Sequence, residues 1–370
     1  MEDATSMDKN AVFTKTVPDT LIASIRFHGK VDAIGDAFCR LWPAVKGCIS
    51  GPAICLYHSG SLDAGFDLEV AVPVSKPVNA GEVRSRILEG GDMLCTLHRG
   101  PYGPPEADVC LAKTWQAFGR YIASSYIGID EGPEREVYVE DHNTTGGRPE
   151  RFVTELQIPL LFPRWMRCFE KGLDRHAGEG VRRRVMEGSE RLTPTGDVRE
   201  RYEWTRRAMD RLDAAVPDED TRREIVCGCA HIYPRERRTW LREQYRRLGS
   251  VDALIEFIRK DPGYDGAPYY RDPSRPGNVI FIDKIPQQKK AYEEATDPVA
   301  KRAAACWCPT IKAAILAGED IPFTFCGCGT GWFKPVWEEI VGVPVRVVCE
   351  ESVLKGDDRC RFAIYLPERV

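Results

Sequence analysis

The hydrophobic pattern changes character along the chain. In Phe66-Asp-Leu-Glu69-Val-Ala-Val-Pro73 apolar residues alternate with others, the two-residue period of a half-buried strand. The same pattern returns at Phe152-Val-Thr-Glu155-Leu-Gln-Ile-Pro159, with Phe, Glu and Pro at identical spacing and an offset of 86 residues. Upstream of each copy lies a strand-like run ending near a histidine, Leu21 to His28 and Met93 to His98. Each run is followed by a stretch of helical period that carries a tryptophan. In the first copy this is Val31 to Val45, with Phe38, Leu41 and Trp42; in the second it is Ala107 to Ile122, with Leu111, Trp115, Phe118 and Ile122. Short strand-like runs follow at Ala53 to His58 and Arg135 to Glu140. Each copy therefore reads strand, helix, strand, strand. The pair predicts a pseudo-twofold α+β domain whose sheet is covered by two helices.

Alternation assigns faces. Phe66, Leu68, Val70 and Val72 share one face of their strand, as do Phe152, Leu156 and Ile158 of theirs, and both rows should pack beneath the helices. Glu69 and Glu155 point the other way, and a twofold relation would set them on opposing walls of one cleft. Glu136, Tyr138 and Glu140 share a face of a third strand. Glu140 reads as solvated. For Glu136 and Glu155 a solvated role competes with a functional one, because charged residues are seldom buried without a partner or a task. His28 and His98 end equivalent strands and read as turn or surface residues.

These segments, with Arg99-Gly100-Pro-Tyr102, Pro133-Glu134-Arg135-Glu136-Val137-Tyr138 and Thr154-Glu155-Leu156-Gln157-Ile158-Pro159, resemble the GyrI-like small-molecule-binding domain over residues 12–161. That domain is also the effector-binding half of AraC-type and MerR-type multidrug regulators. The resemblance implies a cleft that takes lipophilic, often cationic compounds between aromatic rings, with acidic side chains as countercharges. It nominates Glu136 and Glu155 as those countercharges, Tyr102, Trp115 and Tyr138 as walls, and Glu69 as the repeat-related carboxylate. A cation over an aromatic face in a dry site gains about 2 kcal/mol. Some relatives are implied to be hydrolases of electrophilic or strained-ring compounds, for which Glu155 or Glu69, its pKa raised by burial, would be the base. The regulators carry a DNA-binding helix-turn-helix, and the few residues ahead of this domain leave no room for one, so a transcription factor is not expected.

The middle of the chain is dense in Arg, Asp and Glu at helical spacing, and residues 163–222 read as a charged helical connector between a first domain at 1–162 and a third segment at 223–370. Tyr202, Met209, Leu212 and Val216 mark an amphipathic helix stopped by Pro217, and Trp240, Leu241, Tyr245 and Leu248 mark another stopped by Gly249. Asp261 to Asn278 reads as a long surface loop. A helix at Lys334 to Ile340 and strands at Pro344 to Cys349 and Cys360 to Leu366 make the last segment a second α+β domain.

Charge and cysteine content refine this reading. Fifty-two basic and 56 acidic residues give a net charge of -4, without the basic excess expected of broad nucleic-acid binding. No run is apolar enough to cross a membrane, and the polar start of the chain lacks a signal-peptide pattern, so a cytoplasmic location is expected. Of 14 cysteines, eight fall between Cys227 and Cys360, six of them in the pairs Cys227/Cys229, Cys306/Cys308 and Cys326/Cys328. Clustered thiols in a reducing compartment suggest metal or redox chemistry. Thiolates select soft cations, and zinc is the expected ion, with His231 as a substitute ligand. One-residue spacing is atypical of zinc sites, however, and would need tight bends at Gly228 and Gly327. Inert buried thiols, disulfides and redox sensors are the competing readings. The glycines in Cys326-Gly-Cys-Gly-Thr-Gly331 do not make a nucleotide loop, because neither a preceding strand nor Gly-Lys-Ser/Thr accompanies them. The last 150 residues also bear a faint similarity to the 4-vinyl-reductase-like ligand-sensor domain, which implies no particular function. The expected function is binding, sensing or sequestration of an aromatic or cationic small molecule. A hydrolase of electrophilic compounds and a thiol-based redox or metal sensor are the alternatives.

Overall fold

The computed structural model describes residues 11–61, 64–104, 106–229, 233, 235–260 and 270–368. It separates into two compact units, one formed by residues 1–125 and 129–161 and the other by residues 126–128 and 162–370. His231 lies outside the described residues, as do residues 261–269 of the expected loop.

The first unit is built on an eight-stranded antiparallel sheet. Its strands are β1 (Val12–Val17), β2 (Thr20–Gly29), β3 (Ala53–Ser61), β4 (Gly65–Pro73), β5 (Arg84–Leu88), β6 (Gly91–Arg99), β7 (Glu134–Glu140) and β8 (Val153–Pro159), in the order β1-β6-β8-β7-β3-β4-β2-β5. Helix α1 (Ile34–Val45) joins β2 to β3, and α2 (Leu111–Ser124) joins β6 to β7. The duplicated strand-helix-strand-strand is therefore present, with the pseudo-twofold between β3 and β7. Pairing Cys55 with Glu136 and Leu56 with Arg135 fixes the register across that centre.

Two strands escape the repeat pattern. β1 pairs with β6 of the other copy, and β5 pairs with β2 of the first, so each copy contributes an outer strand to its counterpart's half of the sheet. Both are edge strands with mostly exposed or half-buried side chains, which is why their sequences, VFTKTV and RSRIL, lack a clear two-residue alternation. The predicted faces hold. Leu68, Val70 and Val72 pack with Leu41 and Val45 of α1 in one buried cluster, while Ile22, Ile54, Leu56, Ala71 and Leu88 form a separate cluster on the other face.

The second unit begins with helices α3 (Leu161–Ala177), α4 (Glu179–Val185), α5 (Val198–Ala215) and α6 (Glu219–Cys227), so the charged helices from residue 162 onward belong to it. Asp197 caps α5 by accepting from the Arg199 amide, and Asp218 caps α6 by accepting from Thr221. The expected inward residues Tyr202, Met209 and Leu212 are buried, and Trp204 fills the same core, its indole N–H donating to the Glu187 carbonyl at 3.1 Å.

Next come α7 (Arg235–Leu248), α8 (Val251–Lys260), β9 (Tyr270–Ser274), β10 (Val279–Lys284), α9 (Lys289–Glu294), α10 (Pro298–Ala305), α11 (Pro309–Ala317), α12 (Thr330–Val341), β11 (Arg346–Glu351) and β12 (Arg361–Tyr365). The strands form an antiparallel sheet in the order β11-β12-β10-β9. Residues 270–274, expected to be loop, are its edge strand, where Pro273 costs little because an edge position leaves one side of the backbone unpaired. Leu241, Leu254, Ile258, Trp332 and Trp337 cover this sheet in a single buried cluster.

A 3-10 turn at Phe323–Gly329 leads directly into α12. Its glycines permit close packing rather than the sharp bend anticipated for thiol convergence. A Cβ at Gly327 would sit 2.8 Å from a Val226 methyl carbon, and one at Gly329 would sit 2.7 Å from the Phe362 ring. Among the described residues, no helix is long and apolar enough to cross a membrane.

Candidate functional site

Glu136 is the centre of the first unit's chemistry. Strand alternation turns it toward the helix-covered face, where it is 3% exposed. Three aromatic side chains from three elements donate to its carboxylate. The Tyr57 hydroxyl from β3 reaches Oε1 at 3.0 Å, the Trp115 indole N–H from α2 reaches Oε1 at 2.8 Å, and the Tyr138 hydroxyl from β7 itself reaches Oε2 at 2.8 Å. Burial pushes the Glu136 carboxyl above its ordinary range, and the three donors pull the other way without cancelling that effect. The negative charge in turn works with burial to hold the Tyr57 and Tyr138 hydroxyls protonated. Cys55, paired with Glu136 across the strands, is likewise pushed up by burial and by the carboxylate.

The walls are aromatic. Tyr138 meets Phe38 of α1 edge-on at 5.8 Å, and Phe38 stacks on Trp42 at 6.1 Å. On the other side Tyr102 lies 6.1 Å from Tyr138 and 5.4 Å from Phe152, and Tyr57 meets Trp115 at 6.3 Å. Tyr102 is fixed by a 2.7 Å hydrogen bond between its hydroxyl and Thr154, and burial raises its pKa to about 12. A cavity of about 640 Å³ opens beside Tyr138, lined among others by Trp42, Ile49, Pro52 and Asp141.

Glu69 and Glu155 do not wall this cleft, contrary to the expectation from sequence. Glu155 pairs with Val137 and Glu69 with Leu56, each one residue out of step with Glu136 and Cys55, so both carboxylates project from the opposite face of the sheet. Each is already neutralised there. Glu155 accepts from Lys15 at 2.6 Å and from the Gln157 amide at 2.8 Å. Glu69 takes Arg86 as a two-pronged partner at 2.5 and 3.0 Å and His58 at 2.8 Å. Burial alone would raise the Glu69 pKa, but hydrogen bonds from His58 and Arg86 bring it down to about 2.

Because Glu69 titrates below its unfolded value of 4.5, it stabilises the fold above that pH and the contribution is lost as pH falls toward 2. The half-exposed Arg86 argues for a discounted value of about 2 kcal/mol. Urea unfolding of wild type and Glu69→Gln should give midpoints that differ at pH 6 and converge through this acid window; a constant gap would refute the linkage.

Other expectations divide. Trp115, Tyr102, Tyr138 and Glu136 come together; Glu140 is exposed. His98 is buried rather than superficial, its ring nitrogens meeting Thr114 Oγ1 at 2.9 Å and the Pro101 carbonyl at 3.1 Å, which marks a satisfied core histidine. Tyr57, Phe38 and Trp42 join the cleft without having been singled out for it. Tyr57 was accessible to strand alternation, since it occupies the same face as Cys55, the residue opposite Glu136. In the second unit, Cys227, Cys229, Cys306, Cys308, Cys326 and Cys328 are all free thiols. Among the described residues, no group of three or more His, Cys, Asp or Glu side chains is arranged to hold a metal ion.

The first unit is an α+β domain. Residues 10–161 match the family described as the GyrI-like small molecule binding domain, and this segment is a GyrI-like domain. Three solved structures similar to the chain illustrate the range. One is EcmrR in complex with DNA, at 18% identity over 40% of this chain, with a TM-score of 0.35; the match spans 56% of that protein's chain. A second is a hydrolase from Listeria innocua, at 16% identity over 41% of this chain and 92% of that one, with a TM-score of 0.31. The third is SAV2435 bound to tetraphenylphosphonium, at 15% identity over 45% of this chain and 97% of that one, with a TM-score of 0.30. No curated protein sequence matches the chain.

Proposed function

We propose that the GyrI-like domain binds a lipophilic, aromatic cation, with Glu136 as countercharge and Tyr57, Trp115, Tyr138 and Tyr102 as stacking walls. One observation carries this reading. A carboxylate 3% exposed is held by three aromatic donors and, among the described residues, by no cation, so its charge is oriented and desolvated but not neutralised by them. A guest cation supplies the missing charge and stacks on the rings around it. The same geometry weighs against hydrolysis at Glu136, because a general base needs a lone pair aimed at water and the three donors leave the carboxylate only one further lone-pair position, on Oε2. A hydrolytic role for Glu69 or Glu155 meets a similar objection, since each is paired with a basic side chain. Zinc binding by the cysteine-rich half rests on cysteine clustering alone, and elemental analysis of the purified protein tests it.

Two ions of one shape and opposite charge separate the cation reading from simple hydrophobic capture. Quenching of tryptophan fluorescence should show tetraphenylphosphonium binding at least about tenfold more tightly than tetraphenylborate, a difference of about 1.4 kcal/mol. Equal affinities would reduce the site to a greasy pocket and remove the countercharge from the account.

A further inference from the structure

The second unit gathers thiols from four separate elements. Cys306 follows α10, Cys326 lies in the 3-10 turn, Cys349 is on β11, and Cys360 immediately precedes β12. The Cys326 sulfur sits 3.1 Å from the Ser352 hydroxyl, just beyond β11, and the turn packs directly on that strand. Cys349 is opposite Phe362, two residues from Cys360 on the neighbouring strand. Cys326, Cys349 and Cys360 share one apolar cluster with Phe333 and Phe362. Lys284 donates its amide to the Cys360 carbonyl at 2.8 Å, and Gln287 to the Ala305 carbonyl, so the end of α10 with Cys306 reaches the same corner of the sheet.

The thiols also lie close enough for a thiolate at one to disfavour ionisation at another. Cys349 and Cys360 both act on Cys326, and Cys360 and Cys326 both act on Cys306. All four are free, and among the described residues no three donors converge on one point as a metal would require. Thiols that neighbour one another without a common centre suit chemistry between two sulfurs.

We propose that Cys326 and Cys349 are a reversible redox pair that closes to a disulfide when the protein meets a peroxide, with Cys360 as the reserve partner. One thiolate attacks a peroxide oxygen. The O–O bond breaks, a sulfenic acid forms, and the departing hydroxide leaves as water after taking up the proton that the thiol released. The second sulfur then attacks the sulfenic sulfur, the S–O bond breaks, and the hydroxide that leaves takes the second thiol proton to become another water. Two sulfurs each lose one electron, and the peroxide is reduced by two.

The test treats the full chain with hydrogen peroxide, alkylates it under denaturing conditions and maps it by mass spectrometry. The expected result is a loss of roughly 2 Da and a cross-linked peptide joining Cys326 to Cys349, both reversed by dithiothreitol. Cys349→Ser should redirect the bridge to Cys326 and Cys360, and Cys326→Ser should shift it to Cys349 and Cys360. If a variant fails to fold, the wild-type map decides alone. Complete alkylation after peroxide, a gain of about 32 Da from sulfinic acid without a bridge, or bound metal shielding these thiols would each overturn the proposal.

Discussion

Glu136→Gln should weaken tetraphenylphosphonium binding about 30-fold, a loss of roughly 2 kcal/mol, while leaving the protein folded. The amide is isosteric with the carboxylate. Its oxygen can still accept from Trp115 and Tyr57, which share Oε1, and the Tyr138 hydroxyl can accept from the new NH2 group instead of donating. The charge is lost and the cage is kept. The burial-raised pKa adds a sign. The folded protein holds the Glu136 proton more tightly than the unfolded chain does, so its contribution to stability is present at low pH and fades as pH rises through the folded value. A cation reverses this preference, because it binds the ionised form. Wild-type affinity should therefore increase with pH on the acid side, with proton release seen as buffer-dependent heat in calorimetry. The Gln variant should be flat over the same range and, without ligand, more stable at neutral pH. A wild type whose affinity ignores pH, or a variant that binds as tightly, would contradict the countercharge.

Phe118→Ala should be the most damaging single change in the first unit, at about 3–5 kcal/mol by urea unfolding. Phe118 is fully buried on α2, where it is the helix's anchor in the core. It also lies 6.3 Å from Trp115 one turn earlier, so the cavity left behind loosens the ring that donates to Glu136. Affinity for tetraphenylphosphonium should fall together with stability, because Trp115 is the residue that donates to Glu136. Phe118→Leu, which retains most of the volume, should recover the greater part of both losses. If affinity survives in Phe118→Ala at temperatures where the variant is folded, the helix does not position Trp115 in the way argued.

Strand alternation made much of this legible beforehand. It placed Leu68, Val70 and Val72 beneath α1, and Glu136 and Tyr138 on a shared face, because side-chain direction along a strand follows directly from sequence parity. It could not show which of two faces holds the cleft. Glu69 and Glu155 satisfy the same parity argument, and only register revealed that Arg86 and Lys15 wait for them on the far side. Their partners lie 17 and 140 residues away in sequence, beyond any local pattern. The burial of His98 is invisible in the local sequence for a related reason, since it depends on Thr114 and Pro101, which only the tertiary fold brings to it. β1 and β5 were silent because edge strands have little to bury. In the second unit, cysteine spacing suggested pairs within Cys-x-Cys, whereas Cys326, Cys349 and Cys360 meet across separate elements.

The exchange of β1 and β5 between copies has a kinetic side. Each half lends its counterpart a border, so neither half of the duplicated domain is a finished object when its own segment has been made. β1 must wait for residues 91–96 before it has anywhere to dock. A single copy made alone would leave β1 without its partner strand, and only a second molecule could supply it.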